Sequence, residues 1–106
     1  MEGTELFPDT YWDEVTQVTF LDFDETVYTV TDPKHIQEVK DMLNSLTYVE
    51  VKNPEIEGWC LFELHTKNDV LEFSVSSDLF LMGGKTYYIA EEDVGERLSE
   101  YIKKTS

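Results

Sequence analysis

Apolar and polar residues follow two different periods along this chain, and the switches between them mark its elements. Residues 15–21, VTQVTFL, are rich in β-branched and aromatic residues, with Thr16, Val18 and Phe20 on one side of a predicted strand. Residues 27–31, VYTVT, repeat that character. Between them Asp22 to Thr26 is mostly polar, so the pair predicts a hairpin with an acidic tip. The period then lengthens. Asp32 suits an N-cap, and Pro33 suits the first helical position, where a missing N–H costs nothing. Ile36, Val39, Leu43 and Leu46 follow at helical spacing, widened by Met42, and predict a helix ending near Ser45-Leu46.

Past that helix the alternation of strands returns. Residues 47–52, TYVEVK, predict a strand broken by Asn53-Pro54, and Gly58 marks a further bend. Residues 59–66, WCLFELHT, place Cys60, Phe62 and Leu64 on one face and Trp59, Leu61, Glu63 and His65 on the other. After a turn at Lys67-Asn68-Asp69, residues 70–76 set Leu71, Phe73 and Val75 inward and Glu72, Ser74 and Ser76 toward water. Leu79 to Met82 and Thr86 to Ile89 flank Gly83-Gly84-Lys85, a tight turn with glycines where a positive φ is needed. Residues 91–104 carry Val94, Leu98, Tyr101 and Ile102 at helical spacing. Glu91, Glu92 and Asp93 fall in the expected first turn and Lys103 and Lys104 in the last, which suits the helix dipole. Gly95 inside such a helix weakens it by about 1 kcal/mol relative to alanine.

The order is β-β-α-β-β-β-β-β-α. It predicts an α+β fold, a single antiparallel sheet with two helices packed on one face. Residues 1–13 read as an N-terminal arm, because Pro8 and Asp9 break regular structure, and residues 14–106 read as one α+β domain. Leu6, Phe7, Tyr11 and Trp12 would pack the arm back on the domain or serve a partner.

Charge changes the functional picture. Eight Lys and Arg face 23 Asp and Glu, a formal net charge of −15. The first 33 residues hold nine acids and no Lys or Arg. Such a field repels phosphate backbones and anionic lipid heads, so direct nucleic-acid binding and membrane insertion are not expected. It favours and steers a basic protein partner. Trp12, Asp13, Glu14, Asp22, Asp24, Glu25 and Trp59 are the candidate partner-binding residues: acids to steer, tryptophans to anchor.

Catalytic sets are hard to assemble. His35 and His65 have no Cys or His at ligand spacing, and Cys60 falls on the predicted core face. Asp22, Asp24 and Glu25 lack the glycine and terminal glutamate of a calcium loop. No cofactor and no metal site is expected. Phe20-Leu21-Asp22-Phe23-Asp24-Glu25-Thr26 resembles the first motif of the haloacid-dehalogenase phosphotransferases. That resemblance implies Asp22 as nucleophile and Asp24 as general acid/base beside Mg²⁺. That family's parallel sheet needs helical crossovers, however, and the short gap here predicts a hairpin. Ser76, Lys85 and Asp93 also stand in the wrong surroundings for its later motifs.

Tyr28 to Asp32, Ile36, Gly58 to Leu64 and Gly84 to Tyr88 resemble a class of small domains of unknown function in Gram-positive bacterial lipoproteins and envelope proteins. The resemblance implies an extracytoplasmic, envelope-attached module. Met1-Glu2-Gly3 is acidic where a signal would be basic, so a signal or anchor would have been removed; the alternative is a cytoplasmic protein. The expected function is a non-enzymatic protein-interaction module. The alternative is an acidic inhibitor or immunity protein that blocks a basic groove by imitating nucleic acid, as phage anti-defence proteins do. A Mg²⁺-dependent phosphotransferase comes third.

Overall fold

Strand alternation of the kind seen in residues 15–90 leaves one side of each strand apolar, and a sheet gathers those sides into a single layer. The computed structural model describes residues 1–55 and 58–106. Its strands are β1 (Gln17–Leu21), β2 (Val27–Val30), β3 (Tyr48–Val51), β4 (Cys60–His65), β5 (Val70–Ser76), β6 (Leu79–Met82) and β7 (Thr86–Ala90). They form one seven-stranded sheet in the order β2-β1-β4-β5-β6-β7-β3. Every pairing is antiparallel. With the helices, this is the expected α+β architecture.

The register puts Val18, Phe20, Val30, Phe62, Leu64, Phe73, Val75, Phe80, Tyr48 and Ala90 on one face, and all of them are buried in a common cluster. Helices α3 (Pro33–Asn44) and α4 (Gly95–Thr105) close that face with Ile36, Val39 and Leu43 from the first and Leu98 and Ile102 from the second. The start of α3 is as expected: the Asp32 carboxylate accepts from the Lys34 N–H at 2.9 Å and Pro33 opens the helix. The glycine turn also holds, with Gly83 and Gly84 at φ 60° and 68°.

Two expectations are corrected. The last helix starts at Gly95 rather than at residue 91, so Glu91, Glu92 and Asp93 precede it and Gly95 is its first residue. The reason is packing. A Cβ on Gly95 would stand 2.6 Å from the Ser77 carbonyl oxygen, which accepts the Gly95 N–H at 3.1 Å. Only a glycine lets the helix start this close to the β5–β6 turn.

The N-terminal arm is also more than an arm. It forms two short helices, α1 (Gly3–Leu6) and α2 (Asp9–Trp12); Pro8 stands in the break between them as the N-cap of the second, whereas Asp9, expected to break regular structure, opens it. Phe7 between them is fully buried, its ring 5.1 Å from Phe73 and 6.2 Å from Tyr48. Met1 and Tyr48 exchange backbone hydrogen bonds at 2.7 and 3.0 Å, so the chain's first residue pairs with the β3 edge.

Candidate functional site

The acidic tip is a built turn. Leu21 and Val27 pair across it, and the Asp22 N–H donates to the Thr26 carbonyl at 3.0 Å. Asp22 accepts from the Phe23 N–H at 2.8 Å, and Asp24 accepts from the Thr26 N–H at 3.0 Å. The second bond, more than any other influence, holds the Asp24 carboxyl below the usual carboxylate range. Glu25 sits at φ 69°, the left-handed conformation that closes the turn.

Asp22 does not face outward. Its side chain is only 15% exposed and its other oxygen pairs with Lys103 of α4 at 2.6 Å. The Lys103 ammonium also stands 5.9 Å from the Phe20 ring centroid and 5.8 Å from that of Tyr28. The Asp22 hydrogen bond, foremost, raises the lysine above its ordinary value. Asp22 therefore fastens the last helix to the first hairpin and leaves the set of partner-facing acids.

A cleft of about 520 Å³ opens beside this pair, between Phe23, Cys60, Val75, Ser99 and Lys103. Cys60 is half-buried there, with its sulfur 4.0 Å from Asp22. Burial first, and then the Asp22 charge, push its thiol up, the opposite of what an activated nucleophile needs. Nor does a parallel strand carry Asp22, so the roles implied by the phosphotransferase motif have no scaffold here. Among the described residues, no group of three His, Cys, Asp or Glu side chains is placed to hold a metal ion.

The remaining candidates separate. Trp12 is 5% exposed and belongs to the core cluster, so it is no surface anchor; the arm that carries it is folded into the domain. Asp13 and Glu14 are exposed just before β1, whereas Asp24 and Glu25 are exposed just after it. The length of a strand divides the two acidic pairs, and they form no single patch. Trp59 lies partly exposed and stacks on Tyr87, with ring centroids 6.2 Å apart.

That stack points to what the sequence reading missed. The β4–β5 pair was expected to be wet on the face away from the helices, although Trp59 and Leu61 already fell on that side of the β4 segment. The register instead aligns Val27, Leu21, Leu61, Ser74, Leu81, Tyr87 and Val51 in one cross-strand row through all seven strands. Val27 is 62% and Leu21 37% exposed. A neighbouring row holds Leu79, Ile89 and Val49, with Val49 63% exposed. A groove of about 440 Å³ runs over this face, lined by Leu61, Ser74, Leu81 and Glu72. The signal was present: β6, β7 and β3 read LFLM, TYYIA and YVEV, apolar on both faces.

Of the two acids beside the groove, Glu63 is held by neighbouring side chains. Glu63 and Glu72 are cross-strand partners. Glu63 accepts from the Thr19 hydroxyl at 2.8 Å and lies 3.2 Å from His65 Nε2. The Thr19 bond, foremost, lowers the Glu63 carboxyl below its usual range, and the neighbouring His65 contributes less.

Comparison with protein-family models, with curated proteins and with solved structures gives no match. The site's own chemistry is therefore the basis for any functional reading.

Proposed function

We propose that this chain is a non-enzymatic protein-interaction module that recruits a basic partner. One observation carries the reading: the sheet face away from the helices has a groove lined by Leu61, Leu81, Ser74 and Glu72 with Glu63 beside it, on a chain of net charge −15. Exposed apolar rows of this extent mark interaction surfaces. Long-range attraction brings a basic partner in, and apolar contact holds it. The resemblance at Tyr28 to Asp32 and Gly84 to Tyr88 supports placing the module in an envelope-attached protein.

The test is retention of proteins from the source cell by the immobilised chain at low and high salt, followed by reconstitution with the purified candidate. One basic protein bound at low salt, released at high salt, and weakened by Leu81→Asp, is the expected result. Binding that ignores Leu81→Asp but is displaced by duplex DNA favours the acidic-inhibitor reading instead. No retention at either salt removes both.

A further inference from the structure

Ser74 is the smallest residue in the row. It sits on β5, level with Leu61 on β4 and with Leu81 on β6. A serine between two leucines makes a notch, and the groove lies over it. The Gly83-Gly84 turn borders the groove at the end of β6. No atom lies within 4 Å of where a Cβ would stand on either glycine, so that end is unobstructed among the described residues. On the flank, Glu72 lines the groove and Glu63 stands beside it.

We propose that this groove is the docking site for an amphipathic helix of a protein partner. One large apolar side chain of that helix seats in the Ser74 notch, and Lys or Arg residues beside its apolar stripe meet Glu72 and Glu63. The inference rests on the module reading above and deepens it. Charge complementarity selects the occupant. A second copy of this chain would bring another net −15 and a second Glu63–Glu72 pair against the first. A nucleic acid would bring phosphates. A basic helix brings the opposite charge and the apolar stripe together. Of the cations nearby, Lys52 and Lys85 line a second groove together with Tyr87, Lys85 directly following the Gly83-Gly84 turn, and His65 stands against Glu63.

Scale agrees as well. The groove itself lies over β4 to β6, and the row continues past it through Leu21 to Val27, so that from Val27 to Leu81 it crosses five adjacent strands. Four interstrand steps of about 4.8 Å make roughly 19 Å. A helix of about 13 residues covers that length at about 1.5 Å per residue.

The experiment is an NMR titration of the isotope-labelled chain with a synthetic 15-residue Leu/Lys peptide of helical periodicity, repeated with a peptide of the same composition in scrambled order. The expected result is shift changes centred on Leu61, Ser74 and Leu81, with affinity at least tenfold above the scrambled peptide. Ser74→Phe, which fills the notch, should weaken binding about tenfold without loss of the folded spectrum. Glu72→Gln should reduce its salt dependence. Equal, salt-sensitive binding of both peptides, spread over Asp13, Glu14, Asp24 and Glu25, would overturn the docking site while leaving acid steering intact. Shift changes on α3 and α4 would also overturn it. Peptide-independent changes in the groove that grow with protein concentration would assign the site to self-association and overturn it. Absence of binding by either peptide at low salt would remove the docking site and count against the module reading as well.

Discussion

At the scale of single residues, several positions have roles opposite to those suggested by their type. Gly95 looks like a weak point in a helix, where alanine should help by about 1 kcal/mol. Its backbone position reverses the sign, because the Ser77 carbonyl occupies the space a Cβ needs. Gly95→Ala should therefore destabilise the fold by about 1–3 kcal/mol, read from the urea midpoint. A rise in the midpoint would mean that the turn yields easily. Tyr48 is a second case. Its buried hydroxyl donates to the Leu43 carbonyl at 2.8 Å. Burial, with a smaller push from Glu91, holds that hydroxyl far above its ordinary value. A value raised in the folded state means that the native chain keeps a proton the unfolded chain has lost. Stability is thus full below the ordinary tyrosine range, near pH 10, and falls as pH rises beyond it. Tyr48→Phe should cost about 1 kcal/mol at pH 7 and flatten the alkaline fall. Thermal melts of both proteins between pH 8 and 11 would check this; parallel curves would contradict it.

At the scale of elements, the first two helices are the main surprise. Each is a single turn, far too short to persist alone. They form because Phe7 and Trp12 gain a place in the core, where Phe7 contacts an aromatic row of Tyr48, Phe73 and Phe80. Local signals at Pro8 and Asp9 indicated a break in regular structure; Pro8 does stand between the two helices, but Asp9 opens the second, where burial of Trp12 outweighs the local signal. Phe7→Ala should cost about 3–5 kcal/mol, seen as a lower melting temperature, although the residue lies outside the sheet and both long helices. A loss below about 1 kcal/mol would show the arm to be dispensable. By contrast α3 was legible in full. Its cap, its proline and its apolar stripe are all local, and the structure keeps each one. The final helix was legible in its stripe but not in its start, because a contact distant in sequence decides where it begins.

At the scale of the whole molecule, charge and topology act together. A net −15 on a single 106-residue sheet domain is self-repulsive. Three of the eight Lys and Arg residues are paired with a carboxylate: Lys103 with Asp22, Lys40 with Asp9 and Arg97 with Glu92. Partly exposed pairs such as these contribute little. Screening the net charge should outweigh screening the pairs, so the melting temperature should rise between about 10 and 300 mM NaCl. A rise on the order of 5 °C corresponds to about 1 kcal/mol for a domain of this size. A fall would show that the local pairs outweigh the global repulsion.

The sequence by itself determined the seven strands, the two long helices, their order and the acidic character, because these depend on near neighbours: alternation, caps, turn glycines and the count of charges. It also indicated Asp22 to Thr26 as a hairpin tip rather than a catalytic strand end. Only the tertiary structure decided which face of each strand meets which neighbour. The row from Val27 to Val51 joins residues that pairing, not proximity in the chain, brings level, and its apolar continuity depends on the register of every strand pair. The same long-range pairing turned Asp22 inward to Lys103, took Trp12 into the core, and left Ser74 as a notch between two leucines.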